Sequence, residues 1–188
     1  WKVFIKSNTK MKLIKTGFKD LIIIKQNVIS DERGFFKEKF RINKLEELIN
    51  KKVNFCQENS VKSRLNVLRG LHFQKDPYAQ SKLVSISIGK IFDVAVDIRK
   101  DSKTYGKYFS HILCADNNES LYIPRGFAHG YLTLSKEAII NYHVDNYYNP
   151  TMESGIPFDD KFLNIDWGLK TSNFIISEKD KNHKNFKW

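Results

Sequence analysis

Cysteine is nearly absent from this chain: Cys56 and Cys114 lie far apart, and neither belongs to a Cys-x-x-Cys pair. That gives no support to a disulfide framework or to a thiolate zinc site. Long apolar runs are missing too. "LIII" at Leu21 to Ile24 falls far short of the roughly 20 residues that cross a bilayer, and no charged n-region, apolar h-region and small-residue cleavage site opens the chain. The expectation is a soluble cytoplasmic protein with no membrane partner. Repeats and low-complexity linkers are also lacking, so 188 residues with 41% hydrophobic content read as one well-filled core. Residues 1–10 carry no pattern and Met11 opens a clear one, so the domain is set at 11–188, with 1–10 as an extension.

Negative charge is in short supply, and the net charge is +11. A charge of that size can attract nucleic acid, an acidic surface or a phosphorylated ligand. The lysines are scattered through "KKVNF", "KDSKTYGKY" and "KDKNHKNFK", with no DNA-reading motif framing them. Nucleic acid is therefore not expected as a partner. A lysine-rich surface that attracts an anionic small molecule fits better.

What the chain does contain is alternation. "NKLEELINKK" sets Leu45, Leu48 and Ile49 on one helical face, with Asn43 and Glu46 spaced as a capping-box variant. From about Asn54 onward short period-2 segments follow one another. "KLVSISIG" alternates through Val84, Ile86 and Ile88 before a turn at Gly89-Lys90. "IFDVAVDIR" then sets Phe92, Val94, Val96 and Ile98 on a packing face against a polar face of Asp93, Ala95, Asp97 and Arg99. "ESLYIPRGFAHGYLTL" and "EAIINYHVDNYY" continue the series. This predicts a mainly β protein, a sandwich or barrel with a lined interior and few helices.

His72 in "LRGLHFQ" has three readings from the residues alone: a hydrogen-bonded core histidine, a metal ligand, or a proton carrier. "IPRGFAHGY" would deliver His129 to the inner wall of a barrel, and it resembles the second motif of the cupin superfamily. A metal cupin also needs a His-x-His with a downstream Glu. Here the matching strand reads "LHFQ", so no metal is expected at a His72 and His129 pair.

Four segments, "VLRGLHFQKDPYAQSKLV", "DVAVDIRKDSKTYGKY", "IPRGFAHGY" and "YHVDNYYNPTMESGI", together resemble the dTDP-4-dehydrorhamnose 3,5-epimerase family, from Met11 to about Asp180. The resemblance implies a cupin-type jelly-roll barrel, a homodimer, no cofactor, and a dTDP-linked 4-keto sugar as substrate. It implies His72 as the catalytic base, Asp180 of "SEKD" behind it, Tyr142 as the acid on the opposite face, and Lys82 beside the enolate oxygen. A lysine-to-methionine change there is expected to act chiefly on kcat. By the same resemblance, Arg33 and Glu38 of "SDERGFFKEKF" recognise the base and its attachments. Gln57, Glu58, Asn59, Arg69, His129, Glu153 and Lys179 contact the nucleotide sugar, and Tyr148 stacks on thymine. Asp93 is a candidate supporting group one step from the substrate, and Asp97 is left to structure. "ENSVKS" departs from the family's usual Asn-His-Ser segment, which puts fine substrate recognition in question. A 3-epimerase, a 3,5-epimerase of another nucleotide-linked keto sugar, and a cupin that only binds a sugar nucleotide are the rival readings.

Overall fold

Strand pairing starts earlier in the chain than the alternation suggests. The computed structural model describes residues 11–168 and 173–188; the extension at 1–10 lies outside the described residues. Strands β1 (Lys12–Lys15), β2 (Ile22–Lys25), β3 (Val28–Asp31) and β4 (Gly34–Lys37) all precede the helix α1 (Ile42–Ile49). β2 was missed because it is apolar at every core position rather than alternating, with Ile22, Ile23 and Ile24 all buried, whereas β1, β3 and β4 are largely exposed and present no buried face to mark them. A strand covered on both faces has no polar side to show.

The remaining elements are β5 (Gln57–Arg64), β6 (Leu68–Gln74), β7 (Lys82–Ile88), β8 (Lys90–Asp97), β9 (Tyr108–Cys114), β10 (Glu119–Ile123), β11 (Phe127–Thr133), β12 (Glu137–Val144), β13 (Glu153–Gly155) and the short α2 (Glu178–Lys181). They form a six-stranded sheet in the order β1-β2-β10-β7-β12-β5 and a five-stranded sheet in the order β13-β6-β11-β8-β9, while β3 and β4 pair separately as a two-stranded ribbon. Every pairing between these strands is antiparallel. No helix among the described residues is long and apolar enough to cross a membrane.

The core has three layers. Val84, Ile86, Leu121 and Ile140 of one sheet meet Ile91, Ala95, Leu113 and Phe127 of the other in the interior. The outer face of the five-stranded sheet, with Leu68, Leu71, Val94, Val96 and Leu132, is covered by Leu163 and Trp167 from the C-terminal segment. The outer face of the six-stranded sheet is covered by α1, whose Leu45 packs against Ile22, Ile24 and Leu83. Burying one such leucine contributes about 2 kcal/mol. This layering corrects the reading of β8: its Asp93, Ala95 and Asp97 face is not a solvated polar face, since all three residues are fully buried.

The capping expectation for α1 is also corrected. The N-cap is Arg41, in extended conformation and without a side-chain cap, so Asn43 lies inside the helix. Glu46 turns toward the other end, accepting from the Val53 backbone N–H (3.1 Å) and from Lys52 Nζ (2.8 Å). Asn50 closes the helix in the left-handed region with φ of 51°, a conformation asparagine tolerates well.

Candidate active site

Two glycines let the site form. A Cβ on Gly70 would lie 2.5 Å from the Gly130 Cα, and one on Gly130 would lie 2.6 Å from the Arg69 carbonyl oxygen. Only with both side chains absent can β6 and β11 come this close. The approach sets His72 directly opposite His129, and the register then shifts between His129 and Tyr131.

The C-terminal segment supplies the partner of His72. Ser177 caps α2 by accepting from the Asp180 backbone N–H, and this fixes the "SEKD" turn. Asp180 is then 4% exposed, with Oδ1 at 2.8 Å from His72 Nε2 and Oδ2 accepting from the Gly70 N–H at 3.1 Å. Burial pushes this carboxyl upward, but the hydrogen bonds from His72, Gly70 and Ser177 outweigh it and hold the pKa below the usual range. An ionised carboxylate can only accept, so the Nε2–H of His72 donates to Asp180 and Nδ1 is the ring nitrogen that Asp180 does not engage.

His72, Lys82, His129, Arg69 and Tyr142 line one cavity of about 200 Å³, together with Tyr131 and the apolar Val61 and Ile140. Larger depressions exist, including one of about 600 Å³ beside Lys19 and the turn from Arg99 to Thr104 and one of about 470 Å³ that shares Lys82, but neither is lined by a histidine. Lys82 opens β7, and burial drops its pKa from 10.5 to about 8, an effect that the charges of Asp93 and Glu153 offset only in part. Tyr142 lies on β12, opposite Asn59 on β5 and Val84 on β7. Burial raises its pKa, against the opposing effects of Arg69 and the Asn59 hydrogen bond, so the phenol keeps its proton at neutral pH. His72 enters the cavity from the five-stranded sheet and Tyr142 from the six-stranded one. An imidazole and a phenol therefore reach the same space from two different sheets.

Around this centre, His129 Nε2 lies 2.9 Å from Oδ2 of the fully buried Asp93, so Asp93 supports a cavity histidine. Tyr148, Glu153 and Lys179 form a second group. The Tyr148 hydroxyl donates to Glu153 at 2.5 Å, and Lys179 pairs with the same carboxylate. Burial pushes the Glu153 pKa up, yet these two partners bring it below its usual value. Gln57 bonds Asn59 (2.8 Å), whereas Glu58 is exposed and lies 3.9 Å from His143.

Arg33 and Glu38 do not reach this cavity. Arg33 is exposed on the β3–β4 ribbon and pairs with Asp31, while Glu38 pairs with Arg41 and with Lys44 (2.9 Å). Asp97, left to structure by sequence, accepts from Arg99, Ser102 and Thr104 at 2.6–2.8 Å. Burial would raise its pKa, but these donors hold it at about 2.

Sequence reasoning missed Tyr131 and Ser63, whose hydroxyls lie 3.0 Å apart, with Arg69 Nε donating to the same serine. It also missed His183, three residues beyond Asp180. The ring of His183 stands edge-on to His72 with centroids 5.4 Å apart. His72, Asp180 and His183 place their ligating atoms within 4.8 Å of one another. Only the spacing in "DKNH" signalled it.

Residues 15–187 match the family model described as dTDP-4-dehydrorhamnose 3,5-epimerase. The Shigella flexneri dTDP-4-dehydrorhamnose 3,5-epimerase is 48% identical over 176 residues, covering 94% of this chain and 96% of that one. The crystal structure of the Elizabethkingia anophelis enzyme of that name superposes with a TM-score of 0.90 at 48% identity, covering 94% of this chain and 96% of that one. A dTDP-6-deoxy-D-glucose-3,5-epimerase from Legionella pneumophila, solved in complex with dTDP-4-keto-L-rhamnose, gives 0.90 at 42% identity, over 94% and 93% of the two chains.

Proposed function

The chain belongs to the dTDP-4-dehydrorhamnose 3,5-epimerase family, with its cupin-type jelly roll, and we propose that its cavity inverts C3 and C5 of dTDP-4-dehydro-6-deoxy-D-glucose to give dTDP-4-dehydro-L-rhamnose. Hydrogens beside a C4 ketone are acidic because the carbanion is delocalised onto the ketone oxygen as an enolate. Inversion takes a proton off one face and returns one to the other. His72 Nδ1 removes the proton, and the Asp180 carboxylate stabilises the imidazolium that forms. The Lys82 ammonium stands by the ketone oxygen, where negative charge grows in the transition state. The Tyr142 phenol delivers a proton from the opposite wall. No cofactor takes part in any of these steps.

The observation that carries this reading is the entry of His72 and Tyr142 into one cavity from two different sheets, with Lys82 lining the same cavity. A pure binder has no use for an acid facing a base. At about 200 Å³ the cavity is below the roughly 300–1,000 Å³ of ligand sites, so it takes the sugar ring. The nucleotide then lies outward, along Arg69, Tyr148, Glu153 and Lys179. The direct test is proton NMR of the dTDP-4-keto sugar in heavy water. Deuterium at both C3 and C5, absent with His72→Ala, is expected. Exchange at C3 alone would make the protein a 3-epimerase, and no exchange would refute the reading.

The second copy in a homodimer accounts for Arg33 and Glu38. Phe35 and Phe36 are 66% and 69% exposed on opposite faces of the β3–β4 ribbon. A two-stranded ribbon with both aromatic faces in water is only marginally stable alone. Packing it on a partner covers the two rings and carries Arg33 toward the partner's nucleotide.

A further inference from the structure

His183 is built into a slot. A Cβ on Gly155, the residue opposite His72 on β13, would lie 2.3 Å from the His183 ring, so the imidazole fills the space that glycine leaves. Its side chain is 10% exposed, and its Nε2 is buried without a hydrogen-bond partner. A buried polar nitrogen left unsatisfied is costly, and this one lies 3.8 Å from Asp180 Oδ1, which in turn is 2.8 Å from His72 Nε2.

We propose that His72, Asp180 and His183 form a site for a late first-row divalent cation, Zn²⁺ above all, and that its occupancy switches the catalytic histidine off. Two imidazoles and one carboxylate are a donor set suited to Zn²⁺ and poorly suited to Mg²⁺ or Ca²⁺, which take oxygen ligands. Bond lengths near 2.0–2.1 Å put tetrahedral donors about 3.3 Å apart. The separations of 2.8 and 3.8 Å from Asp180 bracket that value, and with all three ligating atoms within 4.8 Å of one another the two imidazoles close on the cation by side-chain adjustment. A fourth position is left for water. The cation replaces the proton between His72 and Asp180. Neutral His72 ligated through Nε2 carries its remaining proton on Nδ1, and no lone pair is left to accept one from substrate. Binding follows from the donor set alone, while inhibition rests on the role proposed for His72.

The test begins with chelator-stripped protein titrated with Zn²⁺ against a chromophoric zinc indicator. One equivalent should bind to the wild type. His183→Ala and, as the closer substitute, His183→Asn should weaken binding at least 30-fold with unchanged circular dichroism, and His111→Ala, whose ring pairs with Glu119 elsewhere, should bind as wild type. Stoichiometric Zn²⁺ should stop deuterium exchange by the wild type, a chelator should restore it, and whatever exchange the His183 variants retain should be insensitive to that Zn²⁺. No binding to the wild type, equal binding to both His183 variants, or full exchange with the site loaded would overturn the proposal. Absence of any exchange by the stripped wild type would instead refute the epimerase reading, with the indicator titration still deciding the site.

Discussion

Replacing Lys82 by methionine keeps most of the side-chain volume and removes the charge. Burial lowers this ammonium from 10.5 to about 8, and at about 1.4 kcal/mol per pH unit that is about 3 kcal/mol of cost for keeping it charged in a wholly dry site. The residue retains partial exposure, which reduces the figure to about 2 kcal/mol. Lys82→Met should therefore raise stability at pH 7, by about 4–8 °C in Tm for a chain of this size. The folded pKa lies below the unfolded one, so the wild type bears the full cost below pH 8 and sheds it as the pH rises toward 10.5. The gap between the two melting temperatures should narrow across that window. Turnover should move the other way: loss of one preorganised positive charge at a developing enolate costs about 10²–10³ in kcat. Wild-type kcat should fall as the pH rises through about 8 and the ammonium discharges. Scanning calorimetry from pH 7 to 10 and NMR-monitored turnover check both halves. A variant that melts at or below the wild type at pH 7, or that keeps its kcat, refutes the reasoning.

Four further outcomes are expected. Asp180→Asn, which keeps the shape but removes the charge behind His72, should lower exchange at C3 and C5 alike by about 10²–10⁴, read by the same NMR experiment; a drop at one carbon alone would count against a shared base. Tyr142→Phe should leave washout of the C3 hydrogen largely intact and suppress formation of the doubly inverted product, seen in the ratio of the two epimers. Asp97→Asn should cost about 2 kcal/mol at pH 7, because Arg99, Ser102 and Thr104 lose a charged acceptor. That carboxylate is lowered from 3.8 to about 2, so its contribution is complete above pH 4 and lost as the pH falls through 2; urea melts of the two proteins should converge there. Phe35→Asp together with Phe36→Asp should shift sedimentation equilibrium toward the monomer, and an unchanged mass would remove the ribbon from the dimer interface.

The strands from Asn54 onward were legible because each side alternates between two environments. The strongest cases are β7 and β12, whose apolar residues point to the interior. β2 was missed as a strand, and β8, read correctly as a strand, had its polar face misjudged: α1 covers the far side of one and the C-terminal segment covers the far side of the other. β2 is apolar on both faces and shows no period, whereas β8 keeps its period with buried carboxylates on one face, and no local pattern records what a distant segment will cover. The cap of α1 failed for a related reason. Glu46 is bonded by Val53 and Lys52 from beyond the helix end, a contact that the spacing of Asn43 and Glu46 does not encode.

By itself the sequence determined the chemistry available: His72, Lys82, Tyr142 and Asp180 in recognisable settings, glycines where β6 and β11 must pinch, and a lysine-rich surface suited to an anion. Tertiary structure alone decided which of these groups meet. Asp180 comes 108 residues after His72 and reaches it at 2.8 Å, and Tyr142 faces His72 only because their strands lie in different sheets. His183 joins the dyad because Gly155 leaves it room. Acidity, charge and hydrogen-bonding capacity belong to a residue wherever it stands, whereas distance and burial belong to the folded pair, and catalysis depends on both.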